Sequence, residues 1–140
     1  MGCDIHAFYE IKVKGKWEFY APADFTRNYD FFSRLANVRN DGTIVPIDCP
    51  RGLPTDVSYM VSLHNRVWDV DGHSHSWVNS KEYDGLMDEF TAQQLNGSSN
   101  TWDEPGRQYL FGNPFHSWHN YPEDYPDFIE DFRLVFWFDN

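Results

Sequence analysis

The chain has 140 residues and a formal net charge of −11, with 41% hydrophobic and 19% aromatic residues. Residues 1–66 hold eight acidic and eight basic side chains, whereas residues 67–140 hold fourteen acidic and three basic ones. The length fits a single domain whose core is rich in aromatic rings, each of which removes about 150–250 Å² from water when buried. The acidic balance excludes duplex nucleic acid and anionic membranes as partners, since both are bound through Lys and Arg.

Two features predict where the protein works. No apolar run approaches the roughly 18 residues that span a bilayer. The two cysteines, Cys3 and Cys49, occur without a signal-peptide pattern or a disulfide-rich framework. We therefore expect a protein of the reduced cytoplasm, with no membrane partner.

The first predicted elements are two strands, a helix, a loop and a second helix: strands over 3–13 and 16–21, a helix over 28–38, a loop over 39–54 and a helix over 55–64. The turn at Lys14-Gly15-Lys16 joins the two strands into a hairpin. Apolar residues recur at near-helical spacing in the first helix. Thr55 is the predicted cap of the second helix.

The remaining elements are a strand over 73–78, a helix over 80–95, an aromatic-rich loop over 96–126 and a strand over 132–138. The last segment is almost continuously apolar, which predicts a central strand buried on both faces. The elements together predict an α+β fold. We expect one antiparallel or mixed sheet of about four strands, packed with two or three helices.

Two short segments carry the residues with the most chemistry. On an extended strand, Asp4, His6 and Glu10 point to one face, and the same alternation puts His73 and His75 together. If the two strands are adjacent, a divalent metal such as zinc, manganese or iron finds four ligands there: Asp4, His6, His73 and His75. Glu10 is then expected to orient a ligand or act as a base, and His73 is a second catalytic candidate.

The same residues have plainer interpretations. A polar strand face in water, with hydrogen-bonded histidines, explains both segments without any site. A metal-free alternative uses the histidines as general acid and base on a phosphodiester, because imidazole titrates near neutral pH. Enzymes of that kind place their histidine motifs on separate strands, whereas His73 and His75 belong to one segment.

A predicted anion-binding set lies in the neutral half of the chain. Guanidinium groups match phosphate or carboxylate oxygens bidentately, so Arg27, Arg39 and Arg51 are candidate ligand-binding residues. Trp77 completes this set as a ring on which a ligand base can stack. Salt bridges to the acidic second half are the structural alternative for the arginines.

Two resemblances bear on these segments. Asp4-Ile5-His6 and Gly72-His73-Ser74-His75 are similar to the D-x-H and G-H-x-H signatures of calcineurin-like metallophosphoesterases. The intermediate G-D motif and the βα repeats of that family are missing here, so we interpret this likeness as convergence on ligand spacing.

The second resemblance covers most of the chain. The segments MGCDIHAFYE, RNYDFFSRLANVRN, PRGLP, HSHSWV and VFWFDN resemble a family of short uncharacterised proteins of bacteriophage and prophage genomes. The resemblance implies a small protein acting in the cytoplasm of an infected bacterial cell. It transfers no catalytic residue.

Three functions from different classes fit the sequence. The leading hypothesis is a metal-dependent hydrolase of a phosphorylated small molecule or nucleotide. The second is a non-catalytic binder that sequesters a host nucleotide signal as an anti-defence protein. The third is an acidic inhibitor that docks on a basic surface of a host protein.

Overall fold

A computed structural model describes residues 2–90 and 126–140 of the chain. In this described part, four strands form one antiparallel sheet and three α-helices pack on it. The strands are β1 (Asp4–Val13), β2 (Lys16–Ala23), β3 (His73–Asn79) and β4 (Asp131–Asp139). The helices are α1 (Tyr29–Ala36), α2 (Tyr59–Trp68) and α3 (Ser80–Glu89). The predicted α+β fold is confirmed, and the predicted loop over 96–125 lies outside the described residues.

The strand order is β2-β1-β4-β3. The β1–β2 hairpin turns at Lys14 (φ 52°) and Gly15 (φ 76°), the left-handed pair that a tight two-residue turn requires. β4 lies between β1 and β3 and is buried from Phe132 through Phe138. The sequence prediction of a central, doubly buried strand is therefore confirmed.

Two of the helices begin within one residue of their predicted starts. The Asn28 side chain accepts a hydrogen bond from the Phe31 N–H at 3.1 Å and caps α1. A capping box formed by Asn79 and Glu82 starts α3. α3 ends at Glu89, because the backbone is extended at Phe90 (ψ 136°), and residues 91–95 of the predicted helix lie outside the described residues.

α2 begins three residues later than the sequence predicts. Thr55 is exposed and lies in a turn in which the Val57 N–H bonds the Pro54 carbonyl at 3.2 Å. The cap is Ser58, whose side chain accepts from the Val61 N–H at 3.4 Å. The helix ends at Trp68, whereas the sequence predicts an end near residue 64.

Both faces of the sheet are covered. On one face, which we call the α1/α3 face, Tyr9 and Leu134 pack with Phe32 of α1 and Tyr83 of α3. On the other, the α2 face, Phe8, Val135 and Trp137 pack beneath Val61. The alternative interpretation of a polar β1 face in water holds for Asp4, which is exposed, but not for Phe8 and Glu10 of the same face, which are buried.

No helix within residues 2–90 and 126–140 is long and apolar enough to cross a membrane.

Candidate functional site

Three of the histidines lie at one end of the sheet. β1 begins, β4 ends and β3 begins there, and in register His6 lies opposite Trp137 while His73 lies opposite Phe138. We call this region, defined by His6, His73, His75 and Asp139, the histidine end. The expectation that the two histidine strands are adjacent is wrong, because β4 separates them. Strands two apart in a sheet lie roughly 10 Å apart.

A β-bulge also separates His73 from His75. The register of β3 on β4 shifts between His73 and Ser76, and Ser74 adopts a left-handed conformation (φ 56°). His73 stacks on Phe138 at 6.3 Å between ring centroids, whereas His75 stacks on Trp137 at 5.7 Å. Phe138 and Trp137 belong to the cores on opposite faces of the sheet. His73 and His75 therefore do not share a face as the alternation predicts.

Each of the four predicted metal ligands bonds a different partner. Asp4 accepts from Arg27 Nε and Nη2 at 2.9 and 3.0 Å. His73 Nε2 lies 3.2 Å from Asn140 Oδ1, and His75 Nε2 lies 2.7 Å from Asn65 Oδ1, while His6 pairs with Asp139. The described residues contain no group of three or more His, Cys, Asp or Glu side chains placed to hold a metal. The predicted convergence is wrong, and metal binding stays a prediction.

His6 and Asp139 form the closest polar pair at the histidine end. His6 Nε2 lies 2.5 Å from Asp139 Oδ2, and the two side chains are 22% and 17% exposed. Since a carboxylate only accepts, Nε2 carries the proton and Nδ1 of a neutral His6 keeps a lone pair. Asp4 lies directly opposite Asp139 in the register, a repulsive position that the Arg27 and His6 contacts offset.

α2 places two side chains over the imidazoles. Asn65 and Trp68 are three residues apart and so lie on one face of the helix. Asn65 bonds His75, and the Trp68 ring lies 3.9 Å from the His6 ring between centroids. Burial, and then the neighbouring His73, lower the pKa of His75, so His75 is held in its neutral form at neutral pH.

Two of the predicted anion-binding arginines stand at the same end. Arg27 pairs with Asp4 at the start of β1, and the Arg39 guanidinium lies 5.4 Å from the centroid of the Tyr29 ring, whose hydroxyl accepts from the Cys3 N–H. Arg39 Nη2 lies 3.5 Å from Asn140 Oδ1, the oxygen that also bonds His73. The histidine end thus gathers cationic side chains as well as imidazoles.

Glu10 does not reach this site. Its side chain is fully buried, and it accepts from Arg133 Nε and from the Ser58 N–H, both at 2.7 Å. Arg133 continues to Asp56 at 2.9 Å and stacks on Trp17, with its Cζ 4.1 Å from the ring centroid. These contacts give Glu10 a structural role, since it ties the start of α2 to the sheet.

Arg51 and Trp77 are also engaged in structure. Arg51 donates to Glu82 at 2.8 and 2.7 Å, to the Trp77 carbonyl at 2.9 Å and to Asp48 at 3.1 Å. Its guanidinium lies over the Trp77 ring at 4.9 Å. Arg51 and Arg133 line a cleft of about 380 Å³, yet each is already paired with two carboxylates. An anionic ligand gains little from them.

We expect Arg51→Ala to lower the free energy of unfolding by about 1–3 kcal/mol, because it breaks charge-assisted bonds that join a loop to β3 and α3. Urea unfolding followed by circular dichroism measures this. Arg27→Ala is the control, as its pair with Asp4 is half-exposed (49% and 53%) and its loss should barely change stability. Equal stability of the parent and Arg51→Ala would contradict the structural role.

Sequence reasoning missed Asp139, Asn65 and Trp68. The partner of His6 is 133 residues away, so no local spacing reveals it. Asn65 and Trp68 fall at or beyond the end of the helix as it was predicted. The remaining signal was the parity of β4, which puts Asp139 on the same face as Trp137.

Comparison of the chain with models of known protein families, with curated proteins and with solved structures gave no match. Function is therefore inferred from the residues and contacts described above.

Proposed function

We propose that this protein hydrolyses phosphate esters at the histidine end, with His6 as the general base and Asp139 orienting it. The observation that carries the proposal is the 2.5 Å contact between His6 Nε2 and Asp139 Oδ2. A carboxylate behind an imidazole fixes its tautomer and its orientation. It also stabilises the positive charge that the ring gains when it takes up a proton.

The step needs only water as co-reactant. His6 Nδ1 accepts a proton from a water molecule whose oxygen bonds to phosphorus. The bond from phosphorus to the leaving oxygen breaks, and the proton on His6 passes through solvent to that oxygen. The products are an alcohol and a phosphate with one ester bond fewer, and His6 returns to its neutral form.

A phosphorylated substrate fits the charges around this end. Arg27 bonds Asp4 at the start of β1, and Arg39 reaches Asn140, which follows the end of β4. Asp4 accepts from Arg27 and Asp139 from His6, so both of these carboxylates are already hydrogen-bonded. On the resemblance to phage proteins, we infer that the substrate is a small phosphorylated molecule or nucleotide of the bacterial cell.

Two rival functions make different predictions for the same assay. A metal-dependent hydrolase, the leading hypothesis from the sequence, requires the ligands to rearrange from their separate partners. A non-catalytic binder uses the same arginines and leaves its ligand intact. The acidic inhibitor rests on the charge of residues 67–140, much of which lies outside the described residues.

The test is an assay of purified protein against phosphomonoesters, phosphodiesters and cyclic nucleotides, with and without EDTA. We expect turnover that EDTA does not reduce. Turnover lost in EDTA and restored by zinc or manganese would instead support the metal-dependent enzyme. Absence of turnover, with an intact nucleotide released on denaturation, would support the binder and overturn the proposal.

A further inference from the structure

A buried hydrogen-bond donor of the sheet has no partner. The Trp137 side chain is fully buried, and its indole N–H finds no acceptor among the described residues. Leaving a buried donor unpaired costs about 1–3 kcal/mol, so such groups in folded proteins usually serve a water molecule, an ion or a ligand.

This donor lies between the imidazoles of the proposed site. Trp137 is opposite His6 in the β1–β4 register, and their ring centroids are 6.5 Å apart. His75, on β3, stacks on Trp137 from the other side at 5.7 Å. The Trp137 indole on β4 therefore lies between His6 on β1 and His75 on β3.

Gly72 borders the same edge of the indole. A Cβ at this position would lie 3.2 Å from Trp137 Cδ1, the atom bonded to the indole nitrogen, and 3.5 Å from His75 Nε2. The backbone of Gly72 (φ −80°, ψ 136°) is one that any residue adopts. Glycine is thus not needed here for backbone conformation, and any side chain in its place would crowd the indole edge.

We propose that the Trp137 N–H binds a phosphoryl oxygen of the ligand at the histidine end, beside Gly72. The inference rests on the proposed function, since it places the phosphoryl group beside His6. A neutral donor held rigidly in an aromatic pocket suits an oxygen that gains negative charge as the ester is cleaved. Trp137 would be a binding residue that the sequence did not single out.

The test follows the indole N–H resonances by ¹H–¹⁵N NMR while inorganic phosphate is added at constant ionic strength. Trp137→Phe, which loses one indole resonance, assigns the peak. We expect a saturable downfield shift of the Trp137 resonance, as an N–H forms a bond to an oxyanion. In Gly72→Ala the shift should need at least about tenfold more phosphate, which corresponds to about 1.4 kcal/mol.

Gly85→Ala is the matched control, because a Cβ there meets no atom within 4 Å. It should leave the phosphate titration unchanged. The inference would be overturned if the Trp137 resonance did not shift with phosphate while other resonances did. It would also be overturned if Gly72→Ala needed no more phosphate than the parent protein for the same shift.

The inference and the proposed function fail separately. If the protein hydrolyses esters but its Trp137 resonance does not respond to phosphate, only the proposed indole contact is contradicted. A saturable Trp137 shift without hydrolysis removes the catalytic proposal and leaves an anion-binding site. If Gly72→Ala does not fold, the phosphate affinity of Trp137→Phe tests the inference instead. We expect this affinity to be at least about tenfold lower than that of the parent protein.

Discussion

Replacing Glu10 with alanine is expected to lower the free energy of unfolding by about 3–5 kcal/mol. Glu10 and Arg133 form an ion pair at 2.7 Å in which the side chains are 0% and 6% exposed. Removing the carboxylate leaves a buried guanidinium without this partner. It also removes the acceptor of the hydrogen bond that the Ser58 N–H donates to Glu10. Urea unfolding monitored by circular dichroism measures the loss.

Two further variants separate the charge from the packing. Glu18→Ala removes an exposed glutamate of β2 and should change stability by no more than about 0.5 kcal/mol. In the double variant Glu10→Met with Arg133→Met, no unpaired charge stays buried, so much of the lost stability should return. A loss of under about 1 kcal/mol in Glu10→Ala would mean that water reaches this pair.

The Glu10 contacts also hold the proposed site in place. Glu10 binds the backbone of Ser58, the residue that caps α2. α2 in turn carries Asn65 to His75 and Trp68 to His6. A buried carboxylate in the middle of β1 therefore fixes the helix that covers the histidine end. Glu10→Ala should weaken phosphate binding as well as stability, although Glu10 does not contact the histidines.

Asp139→Asn is expected to reduce ester hydrolysis by about 10²–10⁴-fold, the usual contribution of a general base that is correctly held. The amide keeps the size of the side chain but carries no negative charge to stabilise a protonated His6. It can also turn its NH₂ group toward Nε2 and favour the wrong tautomer. The turnover rate at saturating substrate is the measurement, with the melting temperature as the check on folding.

Asp131→Asn is the matched control, since Asp131 lies at the opposite end of the same strand, where its side chain accepts a hydrogen bond from the Phe132 N–H at 2.8 Å. It should leave turnover unchanged. His6→Gln should lose as much activity as Asp139→Asn. The double variant should lose little more, because the two residues act as a unit. Additive losses, or full activity in Asp139→Asn, would show that His6 and Asp139 do not work together.

The amino-acid sequence alone determined the elements whose signals are local. Lys14-Gly15 supplies the two positive φ angles of a tight hairpin, and the Asn28 cap starts α1 through a bond to a residue three positions on. The apolar run ending at Phe138 admits only a strand buried on both faces. These features follow from backbone sterics and short-range burial, so a single sequence contains them.

Tertiary structure decided how those elements assemble into a site. Local spacing does not reveal that β4 separates β1 from β3, and this order keeps the four predicted metal ligands apart. The bulge at Ser74 depends on pairing with β4 and reverses the expected parity of His73 and His75. Two polar residues of the same β1 face have different environments. Glu10 pairs with a buried arginine, whereas His6 pairs with a carboxylate near the surface. Each difference arises from a partner more than 50 residues away, where only the packed chain fixes which groups meet.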